Sequence, residues 1–360
     1  MRKISRGDLY SLSSYSYGLP QDRIAQSPAN PRDSSRLLVW NVKEGLTLWD
    51  KHFRDIADFL RPEDLLILND TRVIPARLLG TRESGGKFEV FLLRNISPDF
   101  RVWEALVRPA RKIHTGSTLT LHGQSLRVLG SKPDGVRVVE FAMSSRDEVL
   151  AFLSEAGNVP LPPYIHAGNE MRESYQTVFA RNDGSCAAPT ASLHFTPELL
   201  AKIQAIGVGV GYVTLHVGLG TFRPVKTPDI RQHQIHTEHC ELPAETADKI
   251  RECRARGGRV IASGTTAART LESFSPGESG VRETGIYIYP GYRFRNVDGL
   301  ITNFHLPESS LIMLVASFAA NLAGAFGREE EVLSSLLGIY ERAAGEGWRF
   351  FSFGDAMLIV

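Results

Sequence analysis

The residues best suited to chemistry sit in a few short stretches. "RVIASGTTAARTLES" (Arg259 to Ser273) joins an apolar run to a small-residue turn, Ser263-Gly264-Thr265-Thr266, and then to a helical pattern. A strand feeding a helix start gathers free backbone N–H groups at one point, where a carboxylate or phosphate is favoured. Thr265, Thr266 and Arg269 are candidates for that anion, with Arg269 as a bidentate clamp. The plain alternative is a capped helix start with Arg269 on a solvated face. "GYVTLHVGLGTFRPV" (Gly211 to Val225) places His216 at a strand end before glycines that let a ligand approach the backbone. A tight turn beside a hydrogen-bonded core histidine reads the same way. It is not a dinucleotide fingerprint.

"RQHQIHTEHC" holds His233, His236, Glu238, His239 and Cys240. The His-x-x-His spacing invites a metal, but no further ligand set stands nearby, so a polar pocket with histidines for acid–base work is the preferred reading. "CAAPTASLHF" brings Thr190 and His194 out of a small-residue loop, with Cys186 read as a structural small residue. "TNFHLPESS" places Asn303, His305 and Glu308 between a strand and a capped helix, where ligands lie in α/β sheets. "LLILNDTRVIPARLLG" (Leu65 to Gly80) breaks a buried run with Asn69, Asp70, Thr71 and Arg72, followed by Arg77. Those polar groups either face a ligand or brace a junction through an Asp70–Arg72 network.

These stretches need a scaffold. The chain has 360 residues, enough for two domains, and its 42% hydrophobic and 22% charged content exclude disorder and collagen-like classes. Net charge is +1, so a polyanionic partner must be held by a local patch. The densest patch is Arg108, Arg111 and Lys112 in "RPARKIHTGS", inside a segment, 101–140, that carries a net +4. Three scattered cysteines give no disulfide framework and fit a reduced cytoplasm. No secretory signal is visible. The apolar block Leu311 to Ala320 is shorter than the roughly 20 residues that span a bilayer.

"SRLLVWNV" reads as a strand and "LWDKHFRDIADFLRPED" as a helix ended by Pro62. From Leu65 to Phe141 short β-rich runs separated by turns predict a small barrel or sandwich. "SSRDEVLAFLSEAG" opens with a Ser145-x-x-Glu148 capping box. After "NVPLPPYI" strands and helices alternate, which predicts a sheet covered by helices.

Several of these stretches, in this order, resemble one family. "NDTRVIPARLLG", "APTASLHF", "VTLHVGLGTFRPV", "TTAARTLES", "TNFHLPESSLIMLV" and "FFSFGDAML" closely resemble the S-adenosylmethionine:tRNA ribosyltransferase-isomerases of the queuosine pathway. "YGLPQDRIAQSP", "RDSSRLLV" and "VPLPPYI" fit as well, so the resemblance covers nearly the whole chain. Two positions depart from it: Ser192 where glycine is usual and His239 where tyrosine is common.

The resemblance implies an α/β fold, an α/β/α layered main domain (1–65 plus 142–360) with an inserted small β-barrel (66–141). It implies transfer and isomerisation of the ribosyl moiety of S-adenosylmethionine onto 7-aminomethyl-7-deazaguanine in the tRNA anticodon. The products are epoxyqueuosine, adenine and methionine. No metal and no cofactor is required; S-adenosylmethionine is a consumed substrate. The sulfonium acidifies the ribose 5′ carbon, so a base and a general acid are needed. His194, His216, His236, His305 and Glu238 are the candidates. Asn69, Asp70, Thr71, Arg72, Arg77, Thr190, Thr265, Thr266, Arg269, Asn303 and Glu308 are candidate substrate contacts. Arg108, Arg111 and Lys112 are candidate tRNA contacts, on a cytoplasmic, membrane-free monomer. The rivals are a non-catalytic RNA-binding barrel and a metal-dependent hydrolase built on His233, His236 and Glu238.

Overall fold

The computed structural model describes residues 8–82, 85–166, 171–218 and 224–360, the Asp134 side chain excepted. In chain order its strands are β1 (Arg36–Asn41), β2 (Leu46–His52), β3 (Leu65–Asn69), β4 (Thr71–Val73), β5 (Arg77–Thr81), β6 (Lys87–Asn95), β7 (Val102–Arg108), β8 (Thr118–Leu121) and β9 (Gln124–Ser131). They continue with β10 (Val136–Phe141), β11 (Gly157–Asn158), β12 (Asn182–Ser185), β13 (Gly209–Leu215), β14 (Glu238–Leu242), β15 (Val260–Ser263), β16 (Gly280–Thr284), β17 (Gly299–Asn303) and β18 (Ala356–Ile359). The helices are α1 (Arg146–Ala156), α2 (Pro197–Ala205), α3 (Ala244–Ala255), α4 (Gly264–Glu272), α5 (Ser310–Leu322) and α6 (Glu329–Gly345).

A nine-stranded sheet runs β16-β14-β13-β3-β15-β17-β18-β1-β2. Its centre, β13-β3-β15-β17, is parallel throughout. Parallel strands buried on both faces read as unbroken apolar runs, and Leu65–Leu68 is one. Side chains alternate between the faces. Leu65 and Ile67 join the core shared with α3, α4, α5 and α6. Leu66 and Leu68 join the core shared with α2 and the 3₁₀ turn Phe53–Phe59. Because the four central strands point the same way, the segments that leave them at 69–72, 216–218, 264–266 and 303–309 all emerge at one edge. Every stretch singled out for chemistry in the α/β part leaves, or packs against, that edge.

The second sheet runs β11-β5-β6-β7-β10-β9-β8. It curls around Trp103, Phe88, Leu126 and Phe141, and α1 adds Val149, Phe152 and Leu153 to that core. Among the described residues its two ends are not hydrogen-bonded to each other, so it is a half-barrel where a barrel was expected. The expected boundary at residue 66 falls inside β3, and the curled sheet proper starts at Arg77.

Local signals carry most elements. Ser145 caps α1 by accepting from the Glu148 N–H, and Thr196 caps α2 the same way from Leu199. The helix expected over 48–64 is instead the edge strand β2 and the 3₁₀ turn Phe53–Phe59. Pairing with β1 takes the first half, and Phe53 and Ile56 reach the core from the short turn. Among the described residues no helix is long and apolar enough to cross a membrane.

Candidate active site

A cavity of about 240 Å³ opens where β15 and β17 end. Thr190, Thr265, Thr266, Asn303, His305 and Glu308 all line it, so six of the sequence candidates come together. Gly264 starts α4 at φ +90°, a conformation suited to glycine. The N-cap residue Ser263 makes no capping bond; its hydroxyl meets Ser192 Oγ at 2.7 Å instead. The first N–H groups of a helix have no intrahelical acceptor, so this uncapped end presents donors to the cavity. Thr266 Oγ1 is buried beside them and, among the described residues, has no hydrogen-bond partner. Tyr164, Phe351 and Ser352 close the other side. Glu308 (φ 58°) and Phe351 (φ 74°) both hold left-handed backbone, a strain that clusters at functional sites.

The histidines near this cavity divide. His305 lines it, with Nε2 2.7 Å from Thr302 Oγ1, and burial pulls its pKa down to about 3. His194 does not line it. Its Nδ1 meets Ser35 Oγ at 2.8 Å, its Nε2 meets Asn303 Oδ1 at 3.1 Å, and its ring stacks on Phe53. Burial brings it to about 4. Both ring nitrogens are engaged by protein, so in this structure His194 acts as a brace between Ser35 and Asn303. Asn303 passes that brace on, donating to the carbonyls of Phe351 (2.9 Å) and Ser352 (3.3 Å).

A larger cavity, about 550 Å³, lies between the nine-stranded sheet and the curled sheet. His216, His236, Glu238 and His239 line one side, and Arg94, Phe100 and Arg146 the other. His216 Nδ1 lies 2.8 Å from Thr71 Oγ1. Burial, then the nearby His239 and Arg146, lower its pKa to about 4. His236 is exposed. Glu238 is buried and accepts from Arg269 Nη1 at 2.5 Å and from the Gly218 N–H at 3.1 Å. That corrects one expectation: Arg269 lies more than a turn inside α4 as the buried counter-ion of Glu238, not at the helix start as a clamp. Glu238 itself lines the larger cavity as a paired carboxylate. Leu219–Phe222 of the glycine-rich motif lie outside the described residues.

The "NDTR" stretch is a brace. Asn69 Nδ2 donates to the Leu215 carbonyl and Oδ1 accepts from the Leu215 and Thr71 N–H groups, at 3.1–3.2 Å. Asp70 is buried and accepts from Arg181, Asn182 and Thr214. The expected Asp70–Arg72 pair is therefore replaced by Asp70–Arg181. Arg72 projects outward between buried Thr71 and Val73, and donates to the Ala180 carbonyl. Arg77 pairs with Glu89 on the curled sheet. Neither arginine lines either cavity.

Arg108, Arg111 and Lys112 are exposed, and among the described residues none has an ion-pair partner. By contrast Arg77, Arg94, Arg101 and Lys132 on the same sheet are all paired. Arg137 holds the loop from behind, donating to the carbonyls of Ala110 and Ile113. Its neighbour Val136 lines the larger cavity, and the loop residues 108–113 do not.

Among the described residues no group of three or more His, Cys, Asp or Glu side chains is disposed to hold a metal ion. Cys186 is buried, and burial pushes its thiol up to about 12, in keeping with a packing role. Sequence reasoning passed over Arg94, Arg146, Tyr164, Phe351 and Ser352 as lining residues. Tyr164 and Phe351 stand in the quoted "VPLPPYI" and "FFSFGDAML", where a local signal existed; Arg94 and Arg146 had none.

A histidine-lined cleft between two sheets, beside a second cavity at the ends of parallel strands, is the frame of an α/β enzyme. The profile of the family described as "Queuosine biosynthesis protein" matches residues 12–359. A relative from Pelotomaculum thermopropionicum, named S-adenosylmethionine:tRNA ribosyltransferase-isomerase, is 49% identical over 97% of this chain and 100% of its own length. One of the same name from Syntrophomonas wolfei is 47% identical over 98% of both chains. The crystal structure of S-adenosylmethionine tRNA ribosyltransferase from Thermotoga maritima matches with a TM-score of 0.54 at 36% identity, covering 97% of this chain and 100% of that one. The chain belongs to this queuosine biosynthesis family and is a transferase.

Proposed function

We propose that the chain transfers and isomerises the ribosyl moiety of S-adenosylmethionine onto 7-aminomethyl-7-deazaguanine in a tRNA anticodon. The products are epoxyqueuosine-tRNA, adenine and methionine. The observation that carries this reading is a shared wall. Val217 lines the smaller cavity, while its neighbours His216 and Gly218 line the larger one. Two substrates on either side of one strand end suit a group transfer.

S-adenosylmethionine takes the smaller cavity in this reading. The uncapped α4 end and Thr266 suit its carboxylate, and the rings of Tyr164 and Phe351 suit its adenine. The tRNA base takes the larger cavity. A base must leave its stack to reach such a pocket, and phosphate contacts from Arg108, Arg111 and Lys112 on the curled sheet would hold the strand.

The sulfonium acidifies the 5′ carbon, so its proton is the first to move, and adenine must then depart with help from an acid. Burial keeps His216 and His305 neutral at pH 7, so both enter as hydrogen-bonding groups and not as imidazolium acids. Exposed His236 is the third member of the set. The reaction calls for no metal and no redox cofactor, and the enzyme acts as a cytoplasmic monomer. The test is adenine release. Tracked by chromatography, adenine should accumulate only when S-adenosylmethionine and tRNA bearing the aminomethyl deazaguanine are both present. Equal release with unmodified tRNA, or none with either, refutes the reading.

A further inference from the structure

The ring of His216 is held from three directions. Thr71 Oγ1 stands 2.8 Å from Nδ1. His239 lies nearly parallel, 12° between the planes and 5.8 Å between centroids. Gly184 leaves the remaining room, because a Cβ there would come within 3.0 Å of Nε2. The backbone is fixed as well: the His216 N–H donates to the His239 carbonyl at 3.0 Å. Asn69 grips both main-chain groups of Leu215 and also the Thr71 N–H. One buried asparagine thus ties the residue before the ring to the residue that holds the ring.

Thr71 is fully buried and lines neither cavity. A substrate contact, expected from the sequence, is therefore not its task. With Nδ1 occupied, Nε2 is the polar atom the ring has left, and both His216 and Gly184 line the larger cavity. A hydroxyl both donates and accepts, so Thr71 holds Nδ1 in either neutral tautomer, and what it fixes is the plane of the ring.

We propose that Thr71 is a positioning residue: by holding Nδ1 it fixes the plane of the His216 ring, so that Nε2 meets the hydrogen-bonding edge of a nucleobase in the larger cavity. The nucleobase part rests on the function proposed above; the ring-orientation part does not. The ring stays neutral under working conditions because burial, His239 and Arg146 all oppose its charging. Asn69 and Gly184 serve the same arrangement, which gives the "NDTR" and "LHVG" stretches one common purpose.

The test uses the full chain with ¹⁵N-labelled histidine rings. Wild type and Thr71→Ser should share one set of His216 ring-nitrogen shifts, and Thr71→Val should move the Nδ1 resonance as its hydrogen bond is lost. Thr71→Val should also lower kcat for adenine release about 100-fold, the scale of a misplaced reacting group. Its affinity for S-adenosylmethionine and its Tm should stay near wild type, and Thr71→Ser should restore kcat. Wild-type ring-nitrogen shifts in Thr71→Val, or a wild-type kcat there, overturn the proposal. So does a loss of kcat that comes with a lowered Tm and is not restored by serine. If the Nδ1 resonance moves in Thr71→Val but wild type shows no tRNA-dependent adenine release, the positioning role stands and the proposed function falls.

Discussion

Replacing Glu238 with glutamine is a severe perturbation on this structure. Its carboxylate and the Arg269 guanidinium are each only 6% exposed and meet at 2.5 Å. Glutamine keeps the shape and an acceptor for the Gly218 N–H, but it leaves the arginine's charge buried without a counter-charge. Breaking one side of a buried pair costs about 3–5 kcal/mol, whereas replacing both sides with neutral groups of similar volume is often close to neutral. For 360 residues, an unfolding entropy of about 2.1 cal/mol/K per residue converts 1 kcal/mol into about 1.3 °C. Glu238→Gln should therefore lower Tm by about 4–7 °C. The double variant Glu238→Gln with Arg269→Met should recover to within about 2 °C of wild type. Differential scanning calorimetry measures both. The double variant should also bind S-adenosylmethionine within about threefold of wild type, as expected of a group more than a turn from the helix start. A Glu238→Gln protein that melts with wild type would refute the buried-pair reasoning. A double variant that recovers its Tm but loses the ligand would place Arg269 at the substrate after all.

Stability should fall as pH drops from 6.5 toward 4. His194 and His216 sit near 4 and His305 near 3 when folded, below their unfolded value. The unfolded chain therefore binds more protons in that window, at roughly 1.4 kcal/mol per pH unit per histidine, and the stabilisation is complete only above pH 6.5. Urea midpoints at pH 5 and 7 check this; equal midpoints would contradict it. Thr266→Val should weaken S-adenosylmethionine binding about tenfold, the value of a hydrogen bond to a charged group, with tRNA affinity unchanged. Calorimetric titration reads both, and unchanged affinity for S-adenosylmethionine would move the carboxylate elsewhere. Replacing Arg111 and Lys112 with glutamine should shallow the logarithmic salt slope of tRNA binding by about one to two units. A wild-type slope would make the loop a solvated turn.

Local patterns exposed the smaller cavity well. The strand–turn–helix at 259–273 and the strand–cap–helix at 299–322 are written in short-range periodicity and capping residues, and parallel neighbours bring them together. What stayed hidden depends on partners far along the chain. His194 and His305 both follow small-residue or strand-end segments, yet Ser35 takes up one ring and a cavity faces the other. Arg269 reads as a helix-start arginine until β14 brings Glu238 against it. The Asp70–Arg72 pairing failed on partners far along the chain: Arg181 and Thr214 take the Asp70 carboxylate, and exposed Arg72 turns to the Ala180 carbonyl. Helix α6 was legible and unread: Glu329, Glu330 and Glu331 mark its start, and Val332, Leu333, Leu336, Leu337 and Tyr340 repeat at helical spacing.

The most direct measurement of the proposed activity follows the ribosyl carbons. The enzyme is incubated with S-adenosylmethionine ¹³C-labelled throughout its ribose and with tRNA bearing 7-aminomethyl-7-deazaguanine, and the tRNA nucleosides are then analysed by mass spectrometry. All the labelled carbons of that ribose should appear in epoxyqueuosine, with unlabelled adenine and methionine released in equal amounts. Label that never enters the tRNA, or a tRNA that gains only the methyl group, would contradict the account.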